Sequence, residues 1–395
     1  MRYNFDRYIE RKNTGSYKWD NLEEKFGTKD LIPMWVADMD FPSPTPVIEA
    51  LKKRAEHGVY GYTLRPSSYY RSIVDWMKKR HQWDIKPEWI EYSPGVVPSV
   101  NIAIHAFTHP GDKIIVQPPV YHPFFKAIKN NGRQLVMNEL KYENGRYSMD
   151  FDDLKSKFDE RVKMLILCSP HNPIGRVWSR EELVKLGKIC LENNVMILSD
   201  EIHSDLVFKG YKHIPTASIS PELADITLTC EAPSKTFNLP GLANSTVISS
   251  NLKLLTQFKV SLENLGLEFA NTFGIVASET AYRYGEEWLE QLLEYIQGNV
   301  NYLTDYFERR IPEIKPVKPE GTYLVWLDCR GLNMDSATLK KFMIEKAKVG
   351  FDDGPIFGSG GEGFQRVNVA CPRSILTNAL ENIEKAIMKT KIPIY

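Results

Sequence analysis

Residues 162–203 read VKMLILCSPHNPIGRVWSREELVKLGKICLENNVMILSDEIH, and the two apolar runs in that stretch decide the fold. VKMLILC and VMIL show no polar alternation, as expected of strands covered on both faces. The segment SREELVKLGKICLEN between them has the length and spacing of a helix. A strand, a helix and a second buried strand make one unit of a parallel sheet.

The same rhythm extends in both directions. Upstream, PSVNIAIHAFTH (98–109), HPFFKAIKNNG (122–132) and DFDDLKSKF (150–158) read as helices, while DKIIVQPP (112–119) and RQLVMNEL (133–140) read as strands. Downstream, DITLTCEAPSK (225–235) and STVISSN (245–251) are further strand candidates. Two more helices precede this region, PVIEALKKRAEHG (46–58) and SYYRSIVDWMKKRHQW (68–83), the second placing Tyr69, Ile73, Trp76 and Met77 on one side. VYGYTLRPSS (59–68) between them reads as a loop. The expected fold class is α/β, a large doubly wound domain over 46–287 with a mostly parallel sheet. MWVADMDFPSPTP (34–46) has the proline spacing of an extended arm, so residues 1–45 form an N-terminal arm belonging to a small domain. An amphipathic helix, 286–311, leads into the rest of that α+β domain, 288–395, with TYLVWLDC, LKKFMIEKAK and FQRVNVACP.

Ligands of open α/β sheets bind at the carboxyl ends of the strands. Asn172 follows the first buried run, Asp200 and His203 follow the second, and Lys235 follows DITLTC. An aspartate closing a buried strand is costly to ionise unless a cation meets it, and a cationic cofactor nitrogen is such a partner. Lys235 sits in CEAPSKTFNLPGL among small, polar and turn-forming neighbours rather than on a charged helix face.

Together these motifs resemble the fold-type-I pyridoxal-phosphate (PLP) enzymes, the aminotransferase class I/II family. The matching residues are Asn172-Pro173-Ile174-Gly175, Asp200-Glu201-Ile202-His203 and Ser234-Lys235-Thr236-Phe237, with the glycine turn SPGVVPS and the arginine strand QRVNVACP. MWVADMDFPSP, YGYT, LCSPHNPIGRVW, SDEIHSDLV and CPRS make the chain most similar to the cystathionine β-lyase, or C–S lyase, branch.

The resemblance implies a PLP-transferase-like fold with Lys235 as the Schiff-base lysine and general base. Asp200 is implied at the pyridine nitrogen, Asn172 at the ring oxygen with His203 nearby, and Tyr121 and Ile202 on the two ring faces. The backbone of Gly95, Val96 and Val97 with Ser234 takes the phosphate, joined by Tyr62 across a subunit boundary. Arg366 binds the substrate carboxylate, helped by Asn172 and the arm at Val36, Ala37 and Asp38. The implied reaction is β-elimination on L-cystathionine and related cysteine S-conjugates in a homodimer. An aminotransferase of the same fold and a PLP-containing regulatory protein are the alternatives. Two departures from the commoner family pattern are Ala243, where many relatives carry a phosphate-gripping arginine, and Ala232, where they carry serine.

Composition narrows the function classes. Lys plus Arg and Asp plus Glu are 50 each, which gives no electrostatic reason to bind nucleic acid or an anionic membrane. No long apolar run and no signal-peptide start is evident, and five scattered cysteines read as buried thiols of a cytoplasmic protein. GSGGEG (358–363) mimics a dinucleotide fingerprint but precedes a strand with no βαβ unit to follow, so it reads as a loop. His105 and His109 lack a third ligand, and no metal is expected. Arg373 is expected in a structural ion pair.

Overall fold

The computed structural model describes residues 2–391. Seven strands form the central sheet: β1 (Ile90–Ser93), β2 (Lys113–Val116), β3 (Gln134–Met137), β4 (Val162–Cys168), β5 (Met196–Asp200), β6 (Thr227–Glu231) and β7 (Ser245–Ile248). Their order is β1-β7-β6-β5-β4-β2-β3. Only β7 runs against the direction of the other six strands, so the sheet is mostly parallel, as the unalternating runs require. β4, β5 and β6 are almost wholly buried at the centre.

The intervening helix, Arg180–Glu192, starts at a reciprocal cap. Ser179 Oγ accepts from the Glu182 amide at 3.2 Å, while Glu182 Oε2 accepts from the Ser179 amide at 2.8 Å. Tyr69, Ile73, Trp76 and Met77 are all buried on the helix Ser67–His81, as its spacing predicts.

A second sheet of four strands contains β8 (Lys315–Val317), β9 (Leu324–Asp328), β10 (Asp352–Asp353) and β11 (Phe364–Asn368), in the order β8-β9-β11-β10. The helix Glu286–Arg310 leads into it and buries Trp288, Leu292, Ile296, Leu303 and Phe307. The N-terminal segment is fastened to this unit, because Ile32–Pro33 pairs in parallel with Val349–Gly350.

Several elements depart from the sequence reading. β1 and the hairpin Lys141–Glu143/Arg146–Ser148 are strands too short and too polar to stand out by periodicity. The arm is preceded by two short helices, Tyr17–Asp20 and Leu22–Phe26. Asp225 and Ile226 end a helix begun at Pro221 rather than opening β6. Helices at Leu252–Asn264 and Thr272–Tyr284 complete the large unit. GSGGEG is a loop preceding β11. Among the described residues no helix is long and apolar enough to cross a membrane.

Candidate active site

Strand register builds the site. Asp200 pairs with Cys168 on one side and Cys230 on the other, so three adjacent strands end at one level. The chain then delivers Asn172 four residues beyond Cys168 and Lys235 five beyond Cys230. They line one cleft of about 270 Å³ with Gly95, Val96, Val97, Tyr121, Ile202, His203, Ser234 and Ala37.

Lys235 lies in the short helix Pro233–Thr236, and its Nζ donates to the Ala37 carbonyl at 2.7 Å. The side chain keeps an opening to the cleft, yet desolvation brings its amine down to about 8, opposed by the Asp38 charge. Asp200 moves the other way. Burial lifts its carboxyl to about 7, against the lowering effects of the Ile202 amide, which donates to Oδ1 at 3.2 Å, and of Lys235. An amine and a carboxyl both driven towards neutrality in one cleft mark a site built for a further charged group.

The surrounding groups are set in the same way. Desolvation holds His203 neutral with its pKa near 3, reinforced by the Lys235 and Arg366 charges, and its buried Nδ1 has no partner among the described residues. Burial pushes the Tyr121 phenol up to about 12. Gly95 caps the helix Val96–Phe107 with no side-chain bond, leaving backbone N–H groups at a positive helix end. Beneath the cleft, Asp205 accepts from Thr236 Oγ1 at 2.9 Å and Trp76 Nε1 at 3.1 Å, pinning the turn that carries Lys235. Glu201 pairs with His213 at 2.7 Å in the same buried layer, with Glu231 close by. Burial alone would raise the Glu201 carboxyl, but His213 and its hydrogen bonds hold it low. That separation is within hydrogen-bond range.

The arm at residues 36–38 reaches the site mainly through its backbone. The Ala37 carbonyl also accepts from Tyr323 Oη at 3.0 Å. The Val36 and Asp38 carbonyls both accept from Asn368 Nδ2 at 2.6 Å. Asp38 spends its carboxylate on Arg11 at 2.7 Å, and Lys18 holds Asp40 at 2.6 Å. Asn238, in the turn after Lys235, accepts from the Met39 amide at 3.0 Å and donates to the Phe41 carbonyl at 2.8 Å.

One expectation, the ion pair at Arg373, is revised, and Tyr62 and Arg366 are located. Tyr62 is 89% exposed and packs against Phe269 at 4.7 Å, so its own chain does not bring it to the cleft. Arg366 is buried and already bonded, donating to Asn172 Oδ1 at 2.9 Å, to the Trp35 carbonyl at 2.8 Å and to Asp352. Arg373 donates to Asn299 Oδ1 at 2.7 Å and lies over Tyr302, rather than meeting a carboxylate. Sequence reasoning passed over Cys168 and Asn244, which also line the cleft. Cys168 closes β4, and that strand-end position was the available signal. Asn244 is fixed by bonds from Nδ2 to Tyr69 Oη at 3.1 Å and Ser278 Oγ at 2.7 Å, contacts no local motif foretells.

Comparison with known proteins agrees with this geometry. The chain is 46% identical to the cystathionine beta-lyase PatB of Bacillus subtilis (strain 168), over 97% of this chain and 100% of that protein. Cystalysin from Treponema denticola, whose crystal structure contains pyridoxal 5'-phosphate, superposes with a TM-score of 0.96 at 43% identity, covering 99% of this chain and 100% of that one. The PLP-bound C–S lyase of Staphylococcus hominis superposes with a TM-score of 0.92 at 36% identity, covering 98% of each chain. The profile of the aminotransferase class I and II family matches residues 29–383, and the chain belongs to that family.

Proposed function

We propose that this protein is a PLP-dependent carbon–sulfur lyase that cleaves L-cystathionine and related cysteine S-conjugates by β-elimination. The observation that carries the reading is the pairing of the Lys235 amine and the Asp200 carboxyl in one cleft, each displaced towards neutrality by burial. The lyase assignment within the family is supported by the likeness to PatB, cystalysin and the C–S lyase.

The residues fit the cofactor. Asp200 has one hydrogen bond from Ile202 and calls for a cation, which a protonated ring nitrogen meets. The uncapped helix start at Gly95–Val97, with Ser234, suits a phosphate. With Ala243 in the cleft wall, backbone amides and hydroxyls do the phosphate binding that an arginine does elsewhere. Lys235 would hold PLP covalently through Nζ, Asn172 would donate to the ring oxygen with His203 nearby, and Tyr121 and Ile202 would cover the two ring faces. Bound PLP supplies an electron sink for the pair left at the substrate Cα.

The chain's own groups do the rest. Arg366 takes the substrate carboxylate, and the Ala37 carbonyl lines the approach. Lys235, once the incoming substrate amine has taken its place and freed its Nζ, would remove the Cα proton as general base, its amine being one the cleft makes easy to neutralise. The Cβ–S bond breaks and the thiolate leaves with its electron pair. Water then converts the released aminoacrylate to pyruvate and ammonia, so each substrate and one water give one thiol, one pyruvate and one ammonia.

The working unit in this reading is a homodimer. Tyr62 and Leu64, 89% and 82% exposed, with Tyr60 and Phe269 alongside, make an apolar face suited to a second copy. Tyr62 would then complete the partner's phosphate site. A division into the large domain, 46–287, and a small domain made of 1–45 and 288–395 is supported by the Ile32–Pro33 pairing with Val349–Gly350.

The test is an assay with L-cystathionine and S-methylcysteine that scores thiol and pyruvate together. Equal release of both is expected. Keto acid formed only with an added amino acceptor, without thiol, would make the protein an aminotransferase. Yellow colour lost in Lys235→Ala with neither activity in the parent would point to a regulatory protein.

A further inference from the structure

We propose that Asp352 is a positioning residue for Arg366, fixing the guanidinium so that its Nη1 end is held at Asn172 and the cleft, ready for the substrate carboxylate. The inference rests on the carboxylate-binding role given to Arg366 above. Asp352 on β10 stands directly opposite Arg366 on β11, with Trp326 opposite on the other side, so the three side chains share one face of the small sheet. Asp353 and Gln365 take the other face and bond to each other at 2.9 Å.

The donors of Arg366 are divided unequally. Both Nη2 protons are engaged, one by Asp352 Oδ2 and one by the Trp35 carbonyl. Nη1 spends one proton on Asn172 Oδ1, and buried Nε has no partner among the described residues. The Phe357 ring covers the guanidinium at 4.9 Å, which leaves rotation about the plane to the hydrogen bonds alone. Asp352 and the Trp35 carbonyl thus clamp the end remote from Asn172, and Asn172 lines the cleft. The clamp is itself anchored. Lys25 Nζ lies 4.0 Å from Asp352 Oδ1 and 5.0 Å from the centre of the Trp35 ring. The short helix Leu22–Phe26 therefore braces both groups that hold Nη2.

A guanidinium aimed by a buried carboxylate loses little freedom when substrate arrives, whereas an unclamped arginine must be ordered first. The consequence falls on binding of the carboxylate rather than on proton removal by Lys235. Calorimetry on the holoenzyme with methylthiopropionate, which is S-methylcysteine without its amine, reads that binding with no turnover. Asp352→Ala is expected to weaken the probe by about tenfold or more, and Asp352→Asn, which still offers an oxygen to Nη2, by only about threefold. In an Arg366→Lys background Asp352→Ala should add less than about twofold.

Wild-type affinity in Asp352→Ala, or an equal loss with and without Arg366, would overturn the proposal. So would both variants losing the cofactor absorbance and melting early together, which would assign Asp352 to the fold alone. The two readings separate cleanly. A parent that releases no thiol but shows this binding pattern removes the lyase assignment and keeps the clamp. A parent that releases thiol yet does not bind the probe removes the clamp.

Discussion

Replacing Asp200 with asparagine should stabilise the cofactor-free protein at alkaline pH while disabling the enzyme. The folded carboxyl titrates near 7 against an ordinary 3.8, with burial the main cause. At about 1.4 kcal/mol per unit, a displacement of roughly three units corresponds to about 4 kcal/mol. A raised carboxyl binds its proton more tightly when folded than when unfolded. Between 3.8 and about 7 the unfolded chain has therefore shed a proton that the folded one keeps, and stability falls as pH rises through that window. Above about 7 the whole penalty stands. Asparagine carries no charge at any pH, so the two proteins should match near pH 4 and diverge up to pH 8. Water entering the open cleft and the nearby Lys235 amine both reduce the cost, so a gain of about 2–4 kcal/mol is expected for the variant at pH 8. With cofactor bound the sign reverses, because the ionised aspartate then faces a cation, and elimination should fall by about a thousandfold or more. Urea unfolding of both apo proteins from pH 5 to 8, beside pyruvate release by the holo forms, checks both halves. Equal apo stabilities at pH 8, or a difference that does not change with pH, would refute the electrostatic reasoning.

Three further outcomes follow from the same geometry. Lys235→Ala should lose the visible absorbance and the borohydride-trapped mass gain, with β-elimination down by about ten-thousandfold or more, as expected when nucleophile and base are removed together. Mixing Lys235→Ala subunits with Tyr62→Ala subunits should restore about a quarter of wild-type activity after random exchange, since half the dimers then carry one intact site. No recovery would count against a shared site. Ser179→Ala should cost about 1 kcal/mol in urea unfolding and leave kinetics unchanged, because the cap it removes starts a helix on the far side of β4 and β5 from the chemistry; a changed KM would contradict that placement.

Much of the large unit was legible because burial on both faces leaves unbroken apolar runs of strand length, bounded by turn residues. β4 and β5 are apolar without alternation, and their ends carry Asn172 and Asp200. The same logic fails for β1, whose sequence IEYS mixes polar and apolar residues although all four are buried. Glu91 is accommodated there by its bond from the Tyr92 amide at 2.9 Å and by Arg65 at 3.6 Å, a tertiary solution that local pattern does not encode. The helix boundary at Ile226 was missed for a related reason. DITLTC reads as a continuous β-rich run, yet Ser220 caps a helix three residues before Leu223 and Pro221 suits its first turn.

Within the site, what the sequence conveyed was identity, and what it withheld was engagement. Lys235, Asp200 and Asn172 converge because strand register puts Cys168, Asp200 and Cys230 at one level, a consequence of parallel pairing that follows once three buried strands are recognised. Arg366 was equally recognisable, but its partner was not. Asp352 lies fourteen residues upstream, and only the antiparallel register of β10 on β11 brings the two into contact. An arginine read as an open fork is thus a clamped one. Breaking a buried pair of this kind leaves an uncompensated charge and costs about 3–5 kcal/mol, so the pair stays closed when a substrate carboxylate arrives. With both Nη2 protons taken, neither two-donor edge is free, so a carboxylate arriving at Arg366 meets Nη1, through its remaining proton or by displacing Asn172 Oδ1. The last route has a chemical logic, because it would free Asn172 at the moment the substrate is seated. Asn172→Ala should then tighten or leave unchanged the affinity for methylthiopropionate, whereas a loss of affinity would show that Asn172 holds Arg366 in place as Asp352 does.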